Sequence, residues 1–521
     1  MTEPITFGKL EFRIGSPGDE PFSAARSGGA FRILIMGDFS GRENRGIIDP
    51  ESIPRRRITE VDRDTIEEVM ERMKVEIRFR IAGTDSPEMS LTFSEPDDFH
   101  PDAIFDRFDM FRDLKETRRK LDDPRTFEAA AREVRTWAGG PGESDREEEA
   151  PEKEQTLKRK PAGGSGSLLD QIIGEEEAPP QSAERLAGSS DWDRFLRRIV
   201  APHSVSGDDT EKDALMSIVD ASVSALMGAI LHQVDVQALE AAWRSLHFLV
   251  SRVETGEDLK ISIVDISQEE LSADLCGTDD LTQTGVYRLL VEQTVDTPGA
   301  EPWSVLAGLY SFSTTQEDAD LLGRIAKIAR RTGAPFLAHA HEGILGCRSL
   351  VETPDPRDWT TKPGGEDERA WQALRALDEA SYLGLALPRF ILRLPYGPDT
   401  DPVDRFEYEE IPDGSDHEAY LWGNPAIACT LLMAQAFTSY GWGFRPGVVQ
   451  DIEDLPLVVF TQEGERELLP CAEVLLTEDC AEVILDHGVM PLVSIKGTDR
   501  IRLVRFQSIA EPPTPLGGRW E

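Results

Sequence analysis

The chain has 521 residues, with 97 acidic against 56 basic side chains and a formal net charge of -41 at pH 7. That length suits roughly three or four domains of about 150 residues each, and a hydrophobic content of 39% provides for a real core. An acidic field of this size repels phosphate backbones and anionic lipid, which argues against nucleic acid and membrane surfaces as partners and requires directed contacts for any association between copies.

No apolar run approaches the roughly 20 residues that span a bilayer, and the opening MTEPITFGKL lacks a charged start followed by an apolar stretch. A cytoplasmic protein with no membrane insertion is expected. Cys276, Cys347, Cys429, Cys471 and Cys480 form no CxxC pair, fit a reducing compartment, and read as buried small hydrophobes.

FRILIMGDFSGR (31–42) is an apolar strand that runs into a Gly-Asp turn, as many nucleotide sites begin. It lacks the further glycines, the lysine and the immediate helix of a phosphate loop. Asp38 therefore reads as a turn former that accepts local backbone N–H groups. A helix is expected over 59–73, with Ile66, Val69, Met70 and Met73 on one face, followed by the alternating strand VEIRFRI (75–81). In DDFHPDAIFDRFDMFRDL, Pro101 suits a first helical turn, and Ile104, Phe105, Phe108, Phe111 and Leu114 form an apolar stripe read as core. Residues 31–137 thus make a small α/β unit.

GGPGESDREEEAPEKEQTLKRKPAGGSG (139–166) holds one large aliphatic residue and no aromatic, too little to offset ordering entropy, and reads as a linker. SLLDQIIGEEE (167–177) follows, with Leu168, Leu169, Ile172 and Ile173 at helical spacing on a polar background. It reads as a docking peptide, with a helix folded back on one of the domains as the alternative. Beyond a second polar stretch, long helices are expected over 211–232 and 235–253. A βαβ unit comes next: strand 303–310, helix 318–330, strand 334–340. Short strands and a helix over 425–439 complete the chain, ending in strand-like LVSI and IRLVRF. The fold class is mixed α/β: a small α/β domain (1–138), a flexible acidic linker (139–190) carrying a short amphipathic helix (167–175), and a larger α/β domain (191–521) with a mixed sheet flanked by helices.

Ligands of α/β sheets sit at the carboxyl ends of parallel strands. The first strand of the βαβ unit ends in Leu309-Tyr310-Ser311-Phe312, with no carboxylate, and the second in His339-Ala340-His341-Glu342. Two histidines two apart with a glutamate could ligate a metal, but no further ligand lies at suitable spacing, so they read as strand-end histidines. An enzyme at these three residues is one hypothesis. No GxSxG, Walker A or GxGxxG motif is present, and no catalytic, cofactor or metal residue is assigned.

FRILIMGDFSGR with LTFSEPDDFHPDAIF (91–105) resembles the small sheath subunit of the bacterial type VI secretion system. LEAAWRSLHFLV, ISIVDISQEEL, EPWSVLAGLYSF, GAPFLAH, YLGLALPRFILRLPYG, YLWGNPA and GWGF, in that order between 239 and 444, resemble its large sheath subunit. The resemblance implies small and large subunits fused in one chain, a structural sheath component that is not an enzyme and needs no cofactor. Such a component assembles around an inner tube as a higher-order oligomer, by strand exchange at open sheet edges, and contracts to propel the tube. The alternative is a non-polymerising homologue that caps, nucleates or regulates the apparatus. Implied partners are other sheath subunits, the inner-tube protein, baseplate components and an AAA+ disassembly ATPase, for which Leu168, Leu169, Ile172 and Ile173 would be the docking face. Two departures stand out: the family commonly has Gly-Asp-Tyr-Glu-Phe where this chain has Gly308 to Phe312, and the large-subunit-like region is expected to be truncated at its carboxyl terminus.

Overall fold

The computed structural model describes residues 5–10, 29–81, 88–138, 211–360, 364–412, 414, 416–462 and 465–520. The expected linker, the amphipathic helix 167–175 and its four apolar residues lie outside them.

The first region contributes β1 (Phe31–Gly37), β2 (Thr59–Glu60), α1 (Ile66–Met73), the hairpin of β3 (Val75–Phe79) and β4 (Met89–Phe93), α2 (Pro101–Arg107), α3 (Asp109–Asp122) and α4 (Phe127–Ala138). The helix expected over 59–73 is confined to its second half. Residues 59 and 60 instead pair antiparallel with a strand far along the chain, as Thr59↔Ile263 and Glu60↔Ser262. The aromatic stripe is divided between α2 and α3 at Phe108, whose extended backbone (φ -108°, ψ 124°) ends one helix and starts the next.

After the undescribed stretch come α5 (Glu211–Leu231), α6 (Val234–Arg252), β5 (Leu259–Asp265), α7 (Gln268–Cys276), β6 (Val305–Phe312), α8 (Gln316–Thr332), β7 (Phe336–Ala340), α9 (Glu366–Arg375) and β8 (Leu383–Leu387). Then follow the short β9 (Phe390–Ile391), β10 (Trp422–Gly423), α10 (Pro425–Tyr440), β11 (Asp451–Ile452) and the hairpin β12 (Val459–Gln462) with β13 (Glu465–Leu468). α11 (Glu478–Asp486), β14 (Met490–Ser494) and β15 (Ile501–Leu503) complete the order. Contrary to the expectation that no stretch approaches a bilayer-spanning length, α5 is long and apolar enough to cross a membrane by length and composition. Here it packs beside α3, with Leu215, Val219, Leu226 and Ile230 buried.

One nine-stranded mixed sheet organises the molecule, in the order β11-β15-β14-β8-β7-β6-β1-β5-β2. β1 lies inside it. It pairs in parallel with β5 along all seven residues, from Phe31↔Leu259 to Gly37↔Asp265, and with β6 from Ile33↔Val305 to Met36↔Gly308. Strands buried on both faces read as continuous apolar runs, and β1 obeys the rule. Phe31, Ile33 and Ile35 enter the core that also holds α5, α6 and α10, whereas Leu34 and Met36 enter the core on the other face, with α8. Of the cysteines, Cys347, Cys429, Cys471 and Cys480 are buried as expected, while Cys276 is half-buried.

Candidate assembly interface

Around the carboxyl end of β1, where it meets β5 and the start of α7, polar groups fix the geometry. The turn after β1 is made by Asp38, whose carboxylate accepts the N–H groups of Arg42 (2.7 Å) and Glu43 (2.8 Å), as read from the sequence. Gly41 has φ +76° and lies so close to the β3 backbone that an added Cβ would stand 2.3 Å from the Glu76 carbonyl oxygen, so glycine is needed twice over. Asp265, at the end of β5, accepts from the Phe39 amide (2.8 Å), the Ser40 amide (3.1 Å) and the Ser40 hydroxyl (2.7 Å). Burial raises its carboxyl above the usual range against the pull of those bonds. On the opposite face, Trp243 Nε1 donates to the Phe39 carbonyl at 2.8 Å, with the two rings edge to face at 5.4 Å.

The strongest link is Glu270, fully buried near the start of α7. Arg42 donates from Nε (2.9 Å) and Nη2 (2.7 Å), Arg56 from Nη1 (2.7 Å) and Nη2 (2.5 Å), and the Asp49 amide at 3.0 Å. Burial works to raise this carboxyl, but the bonds from Arg56 and Arg42 outweigh it and hold it at about 2. Sequence reasoning missed this cluster. Its legible sign is Ser267-Gln-Glu-Glu270, a capping box in which Ser267 accepts the Glu270 amide and Glu270 accepts the Ser267 amide.

The motif LPRFILRLPYG owes its residue types to a second buried ionic set. Arg393 bridges Glu240 (2.8 Å) and Glu410 (2.7 Å), Arg244 donates to Glu240 at 2.6 Å, and the Tyr396 amide donates to Glu410 at 2.8 Å. Burial opposes ionisation of Glu410, and Arg393 together with hydrogen bonds from His232 and the Tyr396 amide brings it to about 2. Arg389 pairs with Glu473, which His417 also contacts at 3.0 Å. In YLWGNPA, Asn424 caps α10 by accepting the Ala426 amide and donates to the Tyr310 carbonyl at 3.1 Å.

The strand-end histidines do not converge. His339 is buried with Nδ1 2.9 Å from Ser311 Oγ, and burial pushes its imidazole down to about 3. His341 is exposed and caps the next turn by accepting the Gly343 amide. Among the described residues no group of three or more His, Cys, Asp or Glu is arranged to hold a metal.

Both sheet edges are two-residue strands, β2 and β11, each with a charged residue, Glu60 and Asp451. Edges this short offer little template for indiscriminate pairing. The hairpin β12–β13 stands apart from the sheet, with Val459 opposite Leu468 and the side chains 55% and 43% exposed. A lone two-stranded hairpin with an exposed apolar pair is the kind of surface that assembly covers.

Residues 213–510, more than half of the chain, match the VipB family, described as EvpB/VC_A0108, tail sheath N-terminal domain. The chain belongs to the tail sheath family. Residues 29–134 match a second family, described as Type VI secretion system, VipA, VC_A0107 or Hcp2. Among curated relatives, the type VI secretion system sheath protein TssC1 of Pseudomonas aeruginosa is 35% identical over 306 residues, 58% of this chain and 61% of that protein. The chain thus spans about three fifths of the length of this sheath relative. The VipA-matched region supplies β1 and β2, and the VipB-matched region supplies the strands on either side of β1. Regions that match the two families are therefore present in one chain and share one sheet.

Proposed function

We propose that this chain is a structural component of a type VI secretion contractile sheath, a fused small and large subunit that assembles around an inner tube and contracts to drive it forward. The observation that supports this reading is β1: a strand from the VipA-matched region, flanked on both sides by strands of the VipB-matched region. A unit joined in this way transmits load through main-chain hydrogen bonds rather than through a polar seam. In the proposed organisation, 1–138 and 191–521 are the small- and large-subunit-like regions and 139–190 is the tether. The chain works in the cytoplasm with other sheath subunits, the tube protein and baseplate components, and performs no catalysis. Leu168, Leu169, Ile172 and Ile173 form the face grasped by an AAA+ disassembly ATPase.

Negative-stain microscopy of the purified chain, alone and with separate sheath subunits and tube protein, tests the reading. Cylinders are expected. Discrete particles bound at sheath ends would instead assign it as a cap, nucleator or regulator, and no association with sheath or tube would refute both.

A further inference from the structure

A cavity of about 370 Å³ opens at the carboxyl ends of the parallel strands, beneath the start of α6. It has the size of a ligand pocket. His339 lines it, 8% exposed, and with Nδ1 engaged by Ser311 its Nε2 is buried and has no hydrogen-bond partner. A buried polar atom left unmet is costly and calls for a partner.

Asp38, Glu43 and Asp235 also line the cavity. Asp38 is occupied only by the backbone amides of its own turn, and Asp235 by the side-chain amides of Asn44 and Gln233. Partial desolvation at the cavity rim, reinforced by Asp38, Glu269 and Asp235, raises the Glu43 carboxyl above its ordinary value. Leu239 and Ala242 give the same cavity apolar wall. Arg389, which also lines the cavity, is committed to Glu473 and Glu418.

We propose that this cavity receives an extended segment of a neighbouring protein chain through a lysine or arginine side chain. The cation sits among Asp38, Glu43 and Asp235, its aliphatic stem runs over Leu239 and Ala242, and a main-chain amide of the segment bonds to His339 Nε2. Long basic side chains combine an apolar stem with a charged head in this way. The inference stands apart from sheath assembly, because binding is read on the full chain whether or not cylinders form.

The probe is an acetylated, amidated alanine pentapeptide with a central arginine, set against its citrulline counterpart and against agmatine, the guanidine without a backbone. Titration calorimetry on the full chain at low ionic strength should show saturable binding that weakens with salt. Glu43→Gln should weaken it about two- to five-fold, the range of an exposed ion pair. Glu43 is exposed, so that variant leaves the fold intact. The imidazole resonance of His339, identified by its disappearance in His339→Gln, should move on binding. No saturable binding, equal affinity for the citrulline peptide, an unaffected Glu43→Gln variant or an unmoved His339 resonance would each overturn the proposal. Agmatine binding as tightly as the peptide would overturn the assignment to a protein segment.

Discussion

Replacing Glu270 by glutamine tests the idea that one carboxylate holds the first strand in place. The variant keeps the size of the side chain and removes the charge that Arg42 and Arg56 surround. The fall of the carboxyl from 4.5 to about 2 corresponds to roughly 3 kcal/mol at about 1.4 kcal/mol per pH unit. Because Arg42 and Arg56 keep 18% and 10% of their side chains in solvent, part of that is recovered by hydration, and about 2 kcal/mol is the working figure. If the loss is local, hydrogen exchange at the β1 amides should quicken roughly 30-fold at neutral pH, read by mass spectrometry on peptides spanning 31–37. The sign with pH follows from the lowered carboxyl: its contribution is full above about 4.5 and vanishes as pH falls through about 2. The gap between variant and wild type, after correction for intrinsic exchange, should therefore close over that window. Unchanged protection of β1 at neutral pH, or a gap that persists to pH 2, would refute the reasoning.

Phe31 is fully buried and stacks on Phe437 at a centroid distance of 4.7 Å, so Phe31→Ala should cost about 3–5 kcal/mol. A urea midpoint equal to wild type would contradict it. The described segment 5–10 seats Phe7 against Gly323, where an added Cβ would stand 2.4 Å from the ring. Gly323→Ala should expel a burial of roughly 1.5–3 kcal/mol and open Lys9 to trypsin, and unchanged resistance there would count against this packing. Serine at Leu168, Leu169, Ile172 and Ile173 together should abolish capture by the disassembly ATPase while leaving assembly intact, and retained capture would remove that proposal.

Much of the fold could be read from residue patterns, because helices and buried strands carry their period in the sequence. α5, α6 and α10 match the expected spans within about two residues at each end, and β6, α8 and β7 appear in the expected order, the strands paired in parallel. The misreadings have local causes. Residues 59 and 60 join the following helix on pattern alone, since their strand state depends on Ile263 and Ser262, some 200 residues away. The stripe of Ile104 to Leu114 keeps a helical period through Phe108, so nothing in it marks the break. β5 carries Ile261, Ile263 and Val264 and went unread as a strand. The Glu270 cluster was hidden because its arginines come from residues 42 and 56, and charge partners distant in sequence leave no spacing to detect. Asp38, which satisfies backbone groups within five residues, was legible for the opposite reason.

The placement of β1 also sets a timetable for synthesis. Phe31 has its partner at Leu259, and at roughly 5–20 residues per second the ribosome delivers that partner about ten to forty-five seconds after it delivers β1. Throughout that interval FRILIMG has neither of its flanking strands, so a segment built early must wait for strands made more than two hundred residues later before it can be folded.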